Sequence, residues 1–244
     1  MTTDETGEKG GGRWGAAIAG GLIGAVATLA IAVTAGPSLM GERLVRETLT
    51  EHPEILVEAS ESLRDKQYEP VLAANRRAIE TPFHSSWRGA EKPDVTLAYY
   101  FDYACGYCRQ SNPDIERLIA EDKGVRVVFR ELPILGPNSV AAAHASLAAS
   151  KAGKFNPFHD TLNKAGQPTD EAIAGAAKAV GVSPADAQSA DIQAELQRNF
   201  DVAGKLGATG TPLFVVGNRV MNSAVGYEAL KHAVDAARKA PASS

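Results

Sequence analysis

Phe101-Asp102-Tyr103-Ala104-Cys105-Gly106-Tyr107-Cys108-Arg109 holds both cysteines of the chain in a Cys-x-x-Cys arrangement. Upstream of it, Val95-Thr96-Leu97-Ala98-Tyr99-Tyr100 is a continuous apolar run, the pattern of a buried strand. Downstream, Ile115, Leu118 and Ile119 recur at i, i+3 and i+4, which predicts a helix. A strand that passes into a helix at this motif sets Cys105 at the helix N-terminus. Unpaired backbone N–H groups and the helix dipole stabilise a thiolate there. Cys108 then lies one turn along the same face, within reach of a disulfide to Cys105. That is the layout of a redox dithiol.

Other uses of the pair fit less well. Structural zinc takes four ligands, and no His or Asp stands near at ligand spacing. An iron–sulfur cluster needs more thiolates, and a haem attachment site needs His where Arg109 stands. A static disulfide across so short a loop stabilises little, because the entropy removed from the unfolded chain grows with loop length. A soft ion such as Cu(I) held between the two thiolates is the competing binding function.

Working outward towards the N-terminus, residues 81–94, with Pro82, Gly89 and Pro93, read as a linker. Residues 38–80 are charged and helical in pattern. Pro53 marks a helix start, Ile55, Ala59 and Leu63 form a narrow apolar stripe, and Pro70 interrupts the pattern. This segment is expected to be a stalk or an oligomerisation element. Trp14–Ala35 carries no charge and would cover roughly 33 Å as a helix, enough for a hydrocarbon core of about 30 Å. A membrane anchor over 14–36 is therefore expected in preference to a cleaved signal peptide, whose apolar core is shorter. Basic residues flank it on both sides, Lys9 and Arg13 against Arg43 and Arg46, so they leave its orientation open. A dithiol suits an oxidising space, which puts residues 38–244 outside the cytoplasm and the polar, Gly-rich residues 1–13 inside as a disordered tail. With a net charge of −4 and no Lys/Arg cluster, nothing points to nucleic acid.

Towards the C-terminus, Val125–Leu132 predicts a second strand ended by Pro133. Ala-rich helical stretches then fill about 138–206, with Ser183-Pro184 as one helix start. Gly210-Thr211-Pro212 leads into a strand Leu213–Val216, a turn at Gly217-Asn218, a short strand Arg219–Met221, and an amphipathic helix over 226–239. The sum is an α/β domain interrupted by a helical subdomain.

Residues 95–240 resemble the DsbA-type branch of the thioredoxin superfamily. Four segments carry the likeness: Phe101-Asp102-Tyr103-x-Cys105-Gly106-Tyr107-Cys108, Glu131-Leu132-Pro133-Ile134-Leu135-Gly136, Phe158-His159-x-x-Leu162, and Gly210-Thr211-Pro212-Leu213-Phe214-Val215-Val216-Gly217. Residues 40–80 resemble, more loosely, the N-terminal segment through which ScsC-type members oligomerise. The resemblance implies a thioredoxin fold with an inserted helical subdomain. It makes Cys105 the nucleophile, Cys108 the resolving thiol and Pro212 a cis-proline facing them. Gly106, Tyr107 and the backbone of Thr211 would meet an extended substrate segment. Where the family often has a buried acid for proton movement, six residues before the first cysteine, this chain has Tyr99. Asp102 and Glu131 are the nearest candidates for proton transfer, each equally readable as a satisfied strand-end carboxylate. His144 and His159 read as packing or surface residues.

The implied activity is thiol–disulfide oxidoreduction, as oxidase or isomerase, on cysteine-containing proteins, with a membrane or soluble partner that resets the dithiol. No cofactor or metal is called for. A membrane-tethered disulfide reductase is the variant reading, and association into a homo-oligomer through residues 55–72 would favour isomerisation. The expected location is a bacterial inner membrane, crossed once, with the catalytic domain in the periplasm.

Overall fold

The computed structural model describes residues 36–183 and 185–239. The expected anchor over 14–36 lies almost wholly outside them. Among the described residues no helix is long and apolar enough to cross a membrane. The chain divides into two compact units, the first ending at Glu61 and the second starting at Ser62.

The first unit contains helix α1 (Gly36–Glu51) and the opening of α2 (Glu54–Glu80). His52 and Pro53 separate them, and Pro53 precedes α2 where a helix has no use for its missing N–H. Exposed ion pairs Arg43–Glu47 and Arg46–Glu42 lie one turn apart along α1. Leu44, Val45, Ile55, Leu56 and Val57 are exposed between such charges.

The sequence reading has Pro70 interrupting the helical pattern. Instead α2 runs through it without a break. Proline removes one hydrogen bond and crowds the carbonyl four residues back. Burial of Leu72 and Ile79 beyond it, against Tyr100, Leu213 and Val215, holds the helix in register. The boundary between units therefore falls inside α2, and residues 62–80 belong to the α/β unit.

That unit continues with β1 (Trp87–Gly89), β2 (Val95–Phe101), α3 (Gly106–Glu121) and β3 (Val125–Glu131). An inserted set of helices follows: α4 (Pro137–Lys151), α5 (Phe155–Ala165), α6 (Asp170–Val180), a 3₁₀ turn at Asp186–Gln188 and α7 (Ala190–Lys205). The helix start read at Ser183 is this 3₁₀ turn, in which Ser183 bonds Asp186. The hairpin β4 (Leu213–Val216) and β5 (Arg219–Met221) and helix α8 (Tyr227–Lys239) close the chain. The sheet order is β1-β3-β2-β4-β5, with β2 and β3 parallel and the other pairs antiparallel.

Both sheet faces are covered, which explains why β2 reads as an unbroken apolar run. Leu97, Tyr99 and Phe101 point into the core shared with α3, α4, α5 and α8, while Ala98 and Tyr100 point to α2 and α7. Strand β1 lies within the stretch read as a linker; three residues are too few for a period to show. Gly89 makes it possible: its φ is +98°, and a Cβ there would meet Val125 O at 2.3 Å.

A buried ion pair ties this side together. Arg130 Nη1 donates to Glu195 Oε1 at 2.6 Å, and the same guanidinium donates to Ile79 O at 3.1 Å and to Thr81 O. The end of α2, strand β3 and helix α7 thus share one cation.

Candidate dithiol site

Helix α3 begins at Gly106 with Cys105 as its N-cap, at φ −75° and ψ 119°. Both cysteines are free thiols in this structure, 6% and 2% exposed. The bond from Cys105 N to Asp102 O at 3.0 Å folds the loop so that the first sulfur sits at the helix end. Its Sγ–H donates to Thr211 O at 3.3 Å, bringing Gly210-Thr211-Pro212 against the dithiol from the far part of the chain. The Thr211–Pro212 bond is cis. Burial pushes the Cys108 thiol up to about 12, against the opposing pull of the Asp102 backbone and the Thr211 side chain. Cys108 is therefore protonated at neutral pH. Gly106 and Tyr107, the two residues between the sulfurs, are open to solvent, Tyr107 at 67%.

Tyr99 lies beneath the pair. Its hydroxyl donates to Cys108 O at 3.0 Å, and its ring stacks on Phe214 of β4 with centroids 4.9 Å apart. Burial, first of all, keeps that hydroxyl a neutral phenol. Tyr99 thus pins the first turn of α3 to the sheet and carries no charge beside the sulfurs.

Of the two carboxylates singled out for proton transfer, Asp102 is fully engaged. Its Oδ1 accepts from Ala104 N at 2.8 Å, and its Oδ2 accepts from Ile134 N and Leu135 N at 2.8 and 2.9 Å. Asp102 fastens the loop after β3 to the residue before Cys105, leaving the Ile134 and Leu135 side chains exposed near the motif.

Glu131 is different. Its Oε1 accepts from Ser146 Oγ at 2.7 Å, while its buried Oε2 has no partner. Burial raises it to about 8. Between the ordinary carboxylate value and about 8, unfolding releases a proton that the folded state holds, so stability falls as pH rises through that window. Every tenfold by which folding tightens the carboxyl's hold on its proton is worth about 1.4 kcal/mol of that stability. Chemical denaturation of the Glu131→Gln variant from acid to mildly alkaline pH is expected to give a flatter profile than wild type. Parallel profiles would show that Glu131 titrates normally.

His159, read from sequence as packing or surface, is both buried and hydrogen-bonded. Its ring lies 4.9–5.3 Å from those of Phe101, Phe129 and Phe155, and its Nδ1 is 3.0 Å from Tyr103 OH. Burial holds it well below the ordinary histidine range, hence neutral. The signal was available in Phe155, Phe158 and Leu162, which place His159 on the apolar face of α5.

Comparison with known proteins adds to this geometry. Residues 96–235 match the family model described as a DSBA-like thioredoxin domain. Residues 42–69 match the model of the copper resistance protein ScsC N-terminal domain. Among solved structures, a thioredoxin-like oxidoreductase from Silicibacter pomeroyi is 35% identical with a TM-score of 0.65, over 68% of this chain and 99% of that one. The catalytic domain of Proteus mirabilis ScsC is 28% identical at TM-score 0.64, over 71% and 99%. The thiol-disulfide exchange protein α-DsbA2 of Wolbachia pipientis is 26% identical at TM-score 0.64, over 71% and 97%. Among curated proteins, the Na(+)/H(+) antiporter NhaA 1 of Salinispora arenicola is 30% identical over 160 residues, 62% of this chain. The chain spans about a quarter of the length of such curated relatives, 24% in this case.

Proposed function

The chain belongs to the DSBA-like thioredoxin domain family, a family of thiol–disulfide oxidoreductases, and we propose that Cys105 and Cys108 are the couple through which it forms and rearranges disulfides in cysteine-containing proteins. The observation that carries this is the pairing of two unlike sulfurs: Cys105 at a helix N-terminus against Thr211 O, Cys108 one turn inside and protonated.

In the oxidising direction a substrate thiolate attacks Cys105 Sγ. The Cys105–Cys108 bond breaks, Cys108 leaves with the electron pair and takes up a proton, and a mixed disulfide remains on Cys105. A second substrate thiolate attacks the substrate sulfur of that bond, releasing Cys105 as a thiolate. Two substrate thiols are oxidised and the dithiol is reduced; a membrane or soluble partner then reoxidises it. In isomerisation the Cys105 thiolate attacks a wrong disulfide, and Cys108 frees the enzyme if the mixed disulfide stalls. Pro212, Thr211, Gly106 and Tyr107 border the reacting sulfur and meet the substrate chain.

Its direction in this proposal is isomerisation, outside the cytoplasm and tethered through residues 14–36. The exposed Leu44, Val45, Ile55, Leu56 and Val57 of the first unit offer an apolar surface through which copies join. Light scattering and refolding of a scrambled multi-disulfide protein, comparing the full chain with residues 62–244, test it. Association and faster unscrambling by the full chain are expected. Two monomers equally poor at unscrambling would leave a monomeric oxidase. The match of residues 42–69 to a copper resistance model favours one further reading, Cu(I) held by the two thiolates. Turnover of a test disulfide with and without Cu(I) separates the two.

A further inference from the structure

Three hydrogen bonds run in series through the core behind the dithiol loop. His159 Nδ1 lies 3.0 Å from Tyr103 OH, Tyr103 OH lies 3.0 Å from Ser146 Oγ, and Ser146 Oγ lies 2.7 Å from Glu131 Oε1. Each hydroxyl has one proton to give. When Glu131 is ionised, Ser146 donates to it and must accept from Tyr103, which in turn accepts from Nδ1–H of His159. The other ring nitrogen, Nε2, is then a bare acceptor. When Oε1 carries a proton every bond reverses: Glu131 donates to Ser146, Ser146 to Tyr103, Tyr103 to Nδ1, and the histidine proton sits on Nε2.

The two ends of this chain differ. Glu131 is 1% exposed, with Oε2 unpartnered. His159 forms part of the wall of an open cleft of about 440 Å³, together with Arg88, Arg109, Asn112, Glu116 and Lys164. A proton arriving at Nε2 displaces Nδ1–H to Tyr103, the Tyr103 proton to Ser146 and the Ser146 proton to Glu131. One proton enters from water in the cleft and one is bound at the carboxylate, with no opening of the core.

The geometry points to a proton wire: Glu131 exchanges its proton with the cleft through Ser146, Tyr103 and His159, and gains or loses it in step with the redox state of the dithiol. The coupling rests on the oxidoreductase reading above. Tyr103 stands two residues before Cys105, its carbonyl held by Arg109 Nη1 at 3.1 Å from the turn after Cys108. Phe101, where β2 enters the same loop, pairs with Glu131 across β2 and β3. Exchange expels Cys105 as a thiolate, and the negative charge it carries until it takes up a proton makes Glu131 bind its own more tightly. Oxidation removes the charge and returns the proton to the cleft.

The charged groups facing the wire are few. Arg130 and Glu195 act on Glu131 in opposite senses, and Asn199 occupies its backbone carbonyl. Arg88, paired with Glu116 and Asp160, stands at the His159 end and disfavours a charged imidazole there. A histidine kept neutral passes protons on without storing them. Glu131 is a positioning residue for charge, not a group that touches the sulfurs.

The test uses the full chain and two readouts. The redox midpoint against glutathione, followed across neutral pH, is expected to show an inflection that Glu131→Gln lacks, and Tyr103→Phe, which keeps the ring but cuts the wire, is expected to slow the proton exchange that follows a pH jump. Superposed wild-type and Glu131→Gln curves would overturn the coupling. Infrared difference spectra are expected to show a buried carboxylic-acid band, absent in Glu131→Gln, that titrates at higher pH in the reduced protein. A band at the same midpoint in both redox states would also overturn it. Should Glu131→Gln fail to fold, Ser146→Ala serves, its band titrating apart from that of wild type. If Cys105 does not exchange with glutathione at all, the oxidoreductase reading fails instead. The rate at which the band follows a pH jump in Tyr103→Phe then still decides the wire, because an unchanged rate would refute it.

Discussion

Cys105→Ser is expected to reduce disulfide exchange to the uncatalysed background, whereas Cys108→Ala is expected to keep a reactive thiol that collects substrates as mixed disulfides. The asymmetry follows from where the sulfurs lie. Cys105 caps α3 at the edge of the motif, next to the exposed Gly106 and Tyr107, and its Sγ already bonds Thr211 O. Cys108 is buried with a thiol pushed up to about 12, so a free substrate does not meet it as a nucleophile. On the mechanism proposed above it acts only when the mixed disulfide on Cys105 comes within reach, and then it attacks that sulfur and expels the substrate. Mass spectrometry after incubation with a peptide disulfide reads both variants: a stable adduct on Cys108→Ala and none on Cys105→Ser. An adduct on Cys105→Ser at a comparable rate would reverse the roles and remove the mechanism.

How much of this was legible in the sequence depends on how each residue earns its place. β2 and β4 were readable because both sheet faces are covered and their residues are apolar throughout, and β5 because a turn brackets it. The family likeness was readable because four short segments carry it, and the domain model that matches covers the same stretch of chain. Strand β1 was not, since its three residues pair with β3 by backbone bonds that leave no pattern in side chains. Nor was the passage of α2 through Pro70, because local propensity argues against it and only the burial of Leu72 and Ile79 overrides it. At the site, the cysteines announced themselves by spacing. The hydrogen-bonded role of His159 did not, since it joins Tyr103, Ser146 and Glu131 from elements far apart in sequence.

The same override makes the second large effect. Starting the protein at Ser62 is expected to leave the α/β unit folded, whereas starting it at Pro82, at the head of the segment that reads as a linker, is expected to unfold it. The second cut removes Leu72 and Ile79 from contact with Tyr100, Leu213 and Val215. Fully burying a side chain of this kind stabilises by about 1.5–3 kcal/mol. It also strips the buried Arg130 of the Ile79 and Thr81 carbonyls, leaving Glu195 as its remaining named acceptor. A buried cation short of partners costs several kcal/mol more, on the order of 3 kcal/mol when a partner is deleted. Arg76, which donates to Asn218 Oδ1 at 2.9 Å and steadies the β4–β5 turn, goes as well. Together these losses are comparable with the roughly 5–15 kcal/mol that holds a whole domain folded. Thermal melts followed by circular dichroism read the outcome: a cooperative transition for residues 62–244 and none for residues 82–244. If residues 82–244 melt cooperatively near the temperature of the longer piece, the end of α2 is dispensable and the buried Arg130 finds its acceptors elsewhere.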